Sequence, residues 1–168
     1  MNTIKTSIRL AVLSFLALVI TFLGACSSAP PSPSLNAQGS LTNNKLIACP
    51  SSPNCVQSED KNDAEHYFSA IKFPTSMEFS ALKKNITEVI KKMDGKLVEN
   101  TQVQNSSYIS ATFTSMIFRF VDDFELRIDL EKGLIHLRSA SRTGHSDMGV
   151  NMNRASEFQE LLSKKNKR

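Results

Sequence analysis

From Phe124 to Leu130 the chain reads FELRIDL, an unbroken alternation of apolar and charged residues. A period of two is the signature of a β-strand with two unlike faces. One face carries Phe124, Leu126, Ile128 and Leu130 and needs an apolar cover. The other carries Asp123, Glu125, Arg127 and Asp129 and reads as solvated. Glu131-Lys132-Gly133 then turns the chain into LIHLRSA, a second strand.

Upstream, Lys96–Gln102 and Tyr108–Phe118 read as two further strands. Connections as short as QNSS and EKG suit antiparallel hairpins and leave no room for a parallel crossover. The cover comes from helices. In MEFSALKKNITEVIKKMDG, residues Phe79, Leu82, Ile86, Val89, Ile90 and Met93 recur at helical spacing, with Ser76 as N-cap and Gly95 as the stop. Asn151–Lys165 reads as a second helix, with Met152, Ala155, Phe158, Leu161 and Leu162 inward. HYFSAIKF can add an edge strand. The expected fold is α+β, a four- or five-stranded antiparallel meander with two helices packed on one face.

The amino terminus is a different kind of sequence. Lys5 and Arg9 precede an apolar run, Leu10–Leu23, which at fourteen residues is short of the roughly 20 that span a bilayer. Residues 1–25 therefore read as a cleaved signal peptide. The cleavage region Leu23-Gly24-Ala25-Cys26 resembles the bacterial lipobox, whose Cys is diacylated and becomes the first residue of the mature chain. A second, amide-linked acyl chain such as palmitate completes an anchor of the strength that stable attachment requires. Ser27 and Ser28 follow, and by resemblance to enterobacterial lipoproteins they favour the outer membrane where the source has one. Residues 26–45 are the lipidated Cys and a Ser/Pro-rich segment too polar to bury a core, so a flexible tether is expected. Residues 46–168 are expected to form one domain.

Charge gives no reason to expect nucleic acid. The chain has 20 Lys and Arg against 16 Asp and Glu; loss of Lys5 and Arg9 leaves 18 against 16, a net charge of +2. Much of that excess sits in Lys164, Lys165, Lys167 and Arg168, where cations suit the end of a helix. Cys49 and Cys55 are the only two thiols of the exported domain, and Pro50, Ser51, Ser52, Pro53 and Asn54 between them favour a turn, so a disulfide is expected. No cofactor or metal is indicated. A second Cys pair is missing, and His66, His136 and His145 do not cluster in sequence.

The chemistry concentrates in Arg138–Asn151, RSASRTGHSDMGVN. Ser139 or Ser141 with His145 and Asp147 supplies the residue types of a nucleophilic triad. All of them fall within nine positions, however, whereas a rigid frame normally draws the three from separate segments. Arg138, Ser139, Ser141, Arg142, Gly144, His145 and Arg154 instead resemble an anion- or partner-binding surface, with planar guanidinium forks and glycines that admit close approach. The same arginines can equally pair with Asp122, Asp123 and Asp147 in an internal network, with Asp147 or Asn151 capping the second helix. Both readings stand on the residues alone.

CPSSPNCV, FVDD at Phe120–Asp123, and RSASRTGHSDMGVN followed by Arg154 resemble domain-of-unknown-function family fourteen ninety-nine of bacteria and plastids, from about Cys49 to the C-terminus. The resemblance implies a small exported or anchored domain and no established reaction. It also implies Arg directly after GVN, where this chain has Met152. The functional expectation is a membrane-anchored, extracytoplasmic lipoprotein acting as a non-catalytic binding or scaffolding module, its partner an envelope protein or an anionic ligand. The alternative is an enzyme acting on an anionic envelope substrate through the Arg138–Arg154 region.

Overall fold

The computed structural model describes residues 41–42, 44–103 and 106–167. The signal peptide, Cys26, most of the expected tether and Arg168 lie outside the described residues. In chain order the elements are β1 (Leu41–Thr42), β2 (Lys45–Leu46), β3 (Cys55–Gln57), β4 (Ile71–Lys72), α1 (Phe79–Lys92), β5 (Lys96–Val103), β6 (Ser106–Thr114), β7 (Val121–Asp129), β8 (Leu134–Ser141) and α2 (Val150–Asn166). β1 and β2 pair with each other, so among the described residues strand pairing includes Leu41 and Thr42, inside the stretch read as tether.

The main sheet is antiparallel, in the order β3-β8-β7-β6-β5, with β4 also on β8. The meander expected from the alternating segments is β5 to β8. Two short fragments complete its edge: Cys55–Gln57 opposite Arg138–Ala140, and Ile71–Lys72 opposite Leu134–Ile135. HYFSAIKF thus supplies only two strand residues. CVQ is a strand that three residues of sequence are too short to reveal by period.

Both helices cover the face built from Phe124, Leu126 and Ile128. Leu82, Ile86 and Ile90 of α1 and Ala155, Phe158 and Leu162 of α2 are fully buried against Ile109, Ile135 and Leu137. The Phe124 ring meets Phe113 and Phe158 edge-on, at centroid distances of 5.5 and 5.0 Å. Each large side chain buried here contributes roughly 1.5–3 kcal/mol. The Cys49–Cys55 disulfide is formed. Its short loop limits its contribution to roughly 2–3 kcal/mol, so the core outweighs it.

The ends of α1 differ from expectation. Ser76 is not the N-cap, because Met77 N–H donates to Pro74 O in a turn and the helix begins after Glu78. At the other end Asp94, at φ 62°, takes the left-handed position, while Gly95 N–H donates to Ile90 O and Asp94 N–H to Lys91 O. This is the paired closure that ends many helices. Gly95 is required by crowding, since a Cβ there would lie 2.7 Å from both Ile90 and Phe113.

The second sheet face is not solvated. Asp123, Glu125, Arg127 and Asp129 are all buried, Glu125 completely. Period-two alternation distinguishes two environments, but it does not say that the polar one is water. β2 and the stretch just after β3 cross this face, where Glu59 reaches Arg127 with two bonds of 2.7 and 3.1 Å and Leu46 N–H donates to Glu59 Oε1. Gln57 shapes that crossing by accepting the backbone N–H groups of Glu59 and Asp60 on its Oε1.

Candidate functional site

The charged face is laid out by strand register. β7 pairs with β8 so that Glu125 faces Arg138, Arg127 faces His136 and Asp123 faces Ala140. Glu125 Oε2 accepts from Arg138 Nη1 at 2.7 Å, and Glu125 Oε1 accepts from the Tyr108 hydroxyl at 2.7 Å. Arg138 is therefore spent on Glu125, on the strand face that its alternation marks as solvated, and not on Asp122, Asp123 or Asp147. One strand step further, Arg142 reaches Asp123 through Nε and Nη2 at 2.8–3.1 Å. Those hydrogen bonds hold the Arg142 guanidinium even more firmly protonated than usual, against a smaller opposing effect of burial.

Arg154 lies on the helix side of the sheet. Asp122 shares the parity of Phe124 and points the same way, and Arg154 Nη2 donates to its Oδ2 at 2.7 Å. Arg154 Nη1 donates to Asn151 Oδ1 at 2.6 Å, and its guanidinium sits 4.7 Å from the centre of the Phe113 ring. The candidate arginines thus occupy opposite faces of the sheet. Arg138 and Arg142 share one, and Arg154 has the other.

Asn151 is the hub on the helix side, and nothing in the sequence distinguishes it from an ordinary capping residue. It is fully buried. Its Oδ1 accepts from Ser139 Oγ at 2.6 Å, and its Nδ2 donates to Asn54 O at 2.9 Å and Ser141 Oγ at 3.1 Å. Asn54, within the disulfide loop, also donates from Nδ2 to Gly144 O at 2.7 Å, and its carbonyl accepts Ser141 N–H. Arg142 N–H donates to Val121 O. CPSSPNC, FVDD and the RSASRTGHSDMGVN loop, far apart in sequence, therefore meet at one end of the sheet.

This geometry separates the candidate roles. Ser139 is fully buried and gives its proton to Asn151, so no base stands beside it. His145 is exposed. Asp147 does not join an ion pair with the arginines. It caps the helix, accepting Gly149 N–H at 2.9 Å and Asn151 N–H at 2.7 Å. Gly144 and Gly149 are at φ 87° and 81°, a left-handed backbone that favours glycine, and no other part of the described chain approaches where a Cβ would lie. Among the described residues, no group of three or more His, Cys, Asp or Glu side chains is placed to hold a metal ion.

Two histidines, His66 buried and His136 partly buried, give this framework an opposed pH response. Burial disfavours charge on His66, but Asp63 at 2.8 Å and Ser52 O at 3.2 Å accept from its two ring nitrogens, and the balance raises its pKa above 6.5. Its stabilising effect is full below that ordinary value and fades as pH rises through the raised one. Burial lowers the pKa of His136, against the attraction of Glu59 3.5 Å away. Its effect is full above 6.5 and is lost as pH falls. In urea unfolding, His66→Gln should cost more at about pH 5.5 than at about pH 8.5, and His136→Gln the reverse.

A sequence model of the family described as "Protein of unknown function (DUF1499)" matches residues 45–162. No curated protein matches the chain in sequence. Among solved structures, the vertebrate conserved region (VCR) of human METTL16 is similar at a TM-score of 0.42 and 5% identity, over 56% of this chain and 80% of that one, a likeness too slight to bear on function.

Proposed function

The chain belongs to this family of unknown function, DUF1499, and from that premise we propose that it is a membrane-anchored lipoprotein of the cell envelope whose folded domain is a non-catalytic binding or scaffolding module. One observation carries the non-catalytic part. The candidate arginines are each engaged with an acid of β7: Arg138 with Glu125, Arg142 with Asp123, and Arg154 with Asp122. Catalytic groups need a partner that changes during reaction, whereas these are held in fixed, mostly buried pairs. The anchor rests on the lipobox-like Leu23-Gly24-Ala25-Cys26 behind a short apolar run. The domain then faces away from the cytoplasm, on the outer membrane toward the periplasm where the source has one.

The interaction surface is the outer edge of the 142–150 loop, where Thr143, Gly144, His145, Ser146, Met148 and Gly149 are exposed above the fixed network. An enzyme acting on an anionic envelope substrate is the second reading. It is favoured only by Arg142, whose side chain keeps 37% of its surface exposed while paired, against 9% for Arg138 and 11% for Arg154.

Cys26→Ala tests the anchor. The variant is expected to lose palmitate labelling and move from the membrane to the soluble fraction, and undiminished membrane association would contradict the lipoprotein reading. Arg142→Ala tests the loop. Loss of stability with no loss of a retained anionic ligand or envelope partner supports the internal network, and the opposite result makes the loop a binding site; an activity unaffected by His145→Ala and Asp147→Asn would count against the enzyme.

A further inference from the structure

The β6–β7 connection, Ser115–Phe120, reads SMIFRF and turns its apolar side chains outward. Met116, Ile117 and Phe118 are 91%, 81% and 72% exposed, and Phe120 is exposed as well. The tip is nevertheless built. Ser115 N–H donates to Phe120 O at 2.8 Å, Phe120 N–H donates to Ser115 Oγ at 2.9 Å, and the Phe118 and Phe120 rings stack at 5.7 Å. Beside it, the 142–150 loop is tied to Val121 and presents Met148, a large apolar residue that is almost wholly exposed and held at φ 54°. Water gives no reason for two neighbouring loops to hold such residues outward.

We propose that this tip inserts Met116, Ile117 and Phe118 into the interfacial layer of the bilayer to which the chain is attached, with Arg119 meeting anionic headgroups. The inference rests on the lipoprotein reading above. The tip is a six-residue hairpin connection with four exposed apolar side chains, too few for the core and polar rim of a protein interface but sufficient to enter a fluid layer. Its one charge is Arg119, and the acids at its base, Asp122 and Asp123, are paired with Arg154 and Arg142, so the tip itself presents a positive charge to anionic lipid. Reach is sufficient. The stretch from Cys26 to Leu41 can span at most about 50 Å, more than the roughly 30 Å length of a nine-residue strand such as β7, so the anchor permits this end to meet the membrane.

The chain contains no Trp, which allows a single-site probe. Phe118→Trp and Ile117→Trp would be compared with Lys132→Trp, at the β7–β8 turn of the opposite sheet end, each in the full lipid-bearing chain on phosphatidylethanolamine–phosphatidylglycerol vesicles carrying brominated acyl chains. Blue-shifted emission with bromine quenching at 117 and 118, none at 132, and weaker quenching when Arg119→Glu is added are expected. Unquenched emission at 117 and 118 on vesicle-bound protein overturns the insertion and leaves the anchor standing. A blue shift without quenching overturns it too, because a second copy or another protein then covers the tip. Chain that fails to float with the vesicles overturns the anchor itself.

Discussion

Glu125→Ala is expected to destabilise the domain by about 3–5 kcal/mol in urea unfolding. Glu125 is completely buried and accepts from both Arg138 and Tyr108. Removing it leaves a guanidinium buried without its counter-charge, in a site where Arg138 Nε already has no hydrogen-bond partner. Most of the cost is that uncompensated charge. Glu125→Leu combined with Arg138→Met, which removes both charges at similar volume, should therefore restore much of the loss. If the double variant is as unstable as Glu125→Ala, the pair is not the source of the effect.

Asn151→Ala is the second large expected loss, about 3 kcal/mol. The buried amide joins Ser139, Ser141, Asn54 and Arg154, so its removal strands several polar groups at once. Each unsatisfied buried group costs about 1–3 kcal/mol, offset in part where water enters. Asp147→Ala at the same helix end forfeits only cap bonds at a partly exposed position, and about 1 kcal/mol is expected. Equal effects from the two would mean that capping, and not the three-motif junction, is what Asn151 provides.

The extent to which this arrangement can be read from sequence varies with the range of the interaction. β7 and both helices announce themselves because seven or more residues repeat a period that only one backbone geometry satisfies, and β8 follows from the turn that precedes it. β3 and β4 have three and two residues, too few to show a period, and exist because β8 offers them an open edge. The pairing of arginines with Asp122 and Asp123 follows from their placement at the strand start, and Arg154 and Arg142 do pair with them. Arg138 and Glu125 were within reach as well. With Asp129 and Leu134 closing the turn, counting four residues back along each strand sets them opposite each other. What hid the pair was the assumption that a charged strand face is wet. Asn54 and Asn151 had no local signal at all, since the role of each depends on a segment about a hundred residues away.

The tip at Ser115–Phe120 shows the converse. Its apolar residues continue the pattern of β6, and Tyr108–Phe118 reads as one strand, yet pairing ends at Thr114 opposite Val121. A β-rich run can end in a turn whose side chains face solvent, and only the register reveals where it does so.

Arg138, Arg142 and Arg154 hold the domain together through their pairs with the acids of β7. A double-mutant cycle on Arg154→Ala and Asp122→Ala measures this directly, because the two side chains meet at 2.7 Å and both are largely buried. A coupling energy near the upper end of about 0.5–3 kcal/mol, with each single variant destabilised, is predicted. Additive effects, or an Arg154→Ala chain as stable as the parent, would show the arginine to be kept for a ligand and would contradict the account.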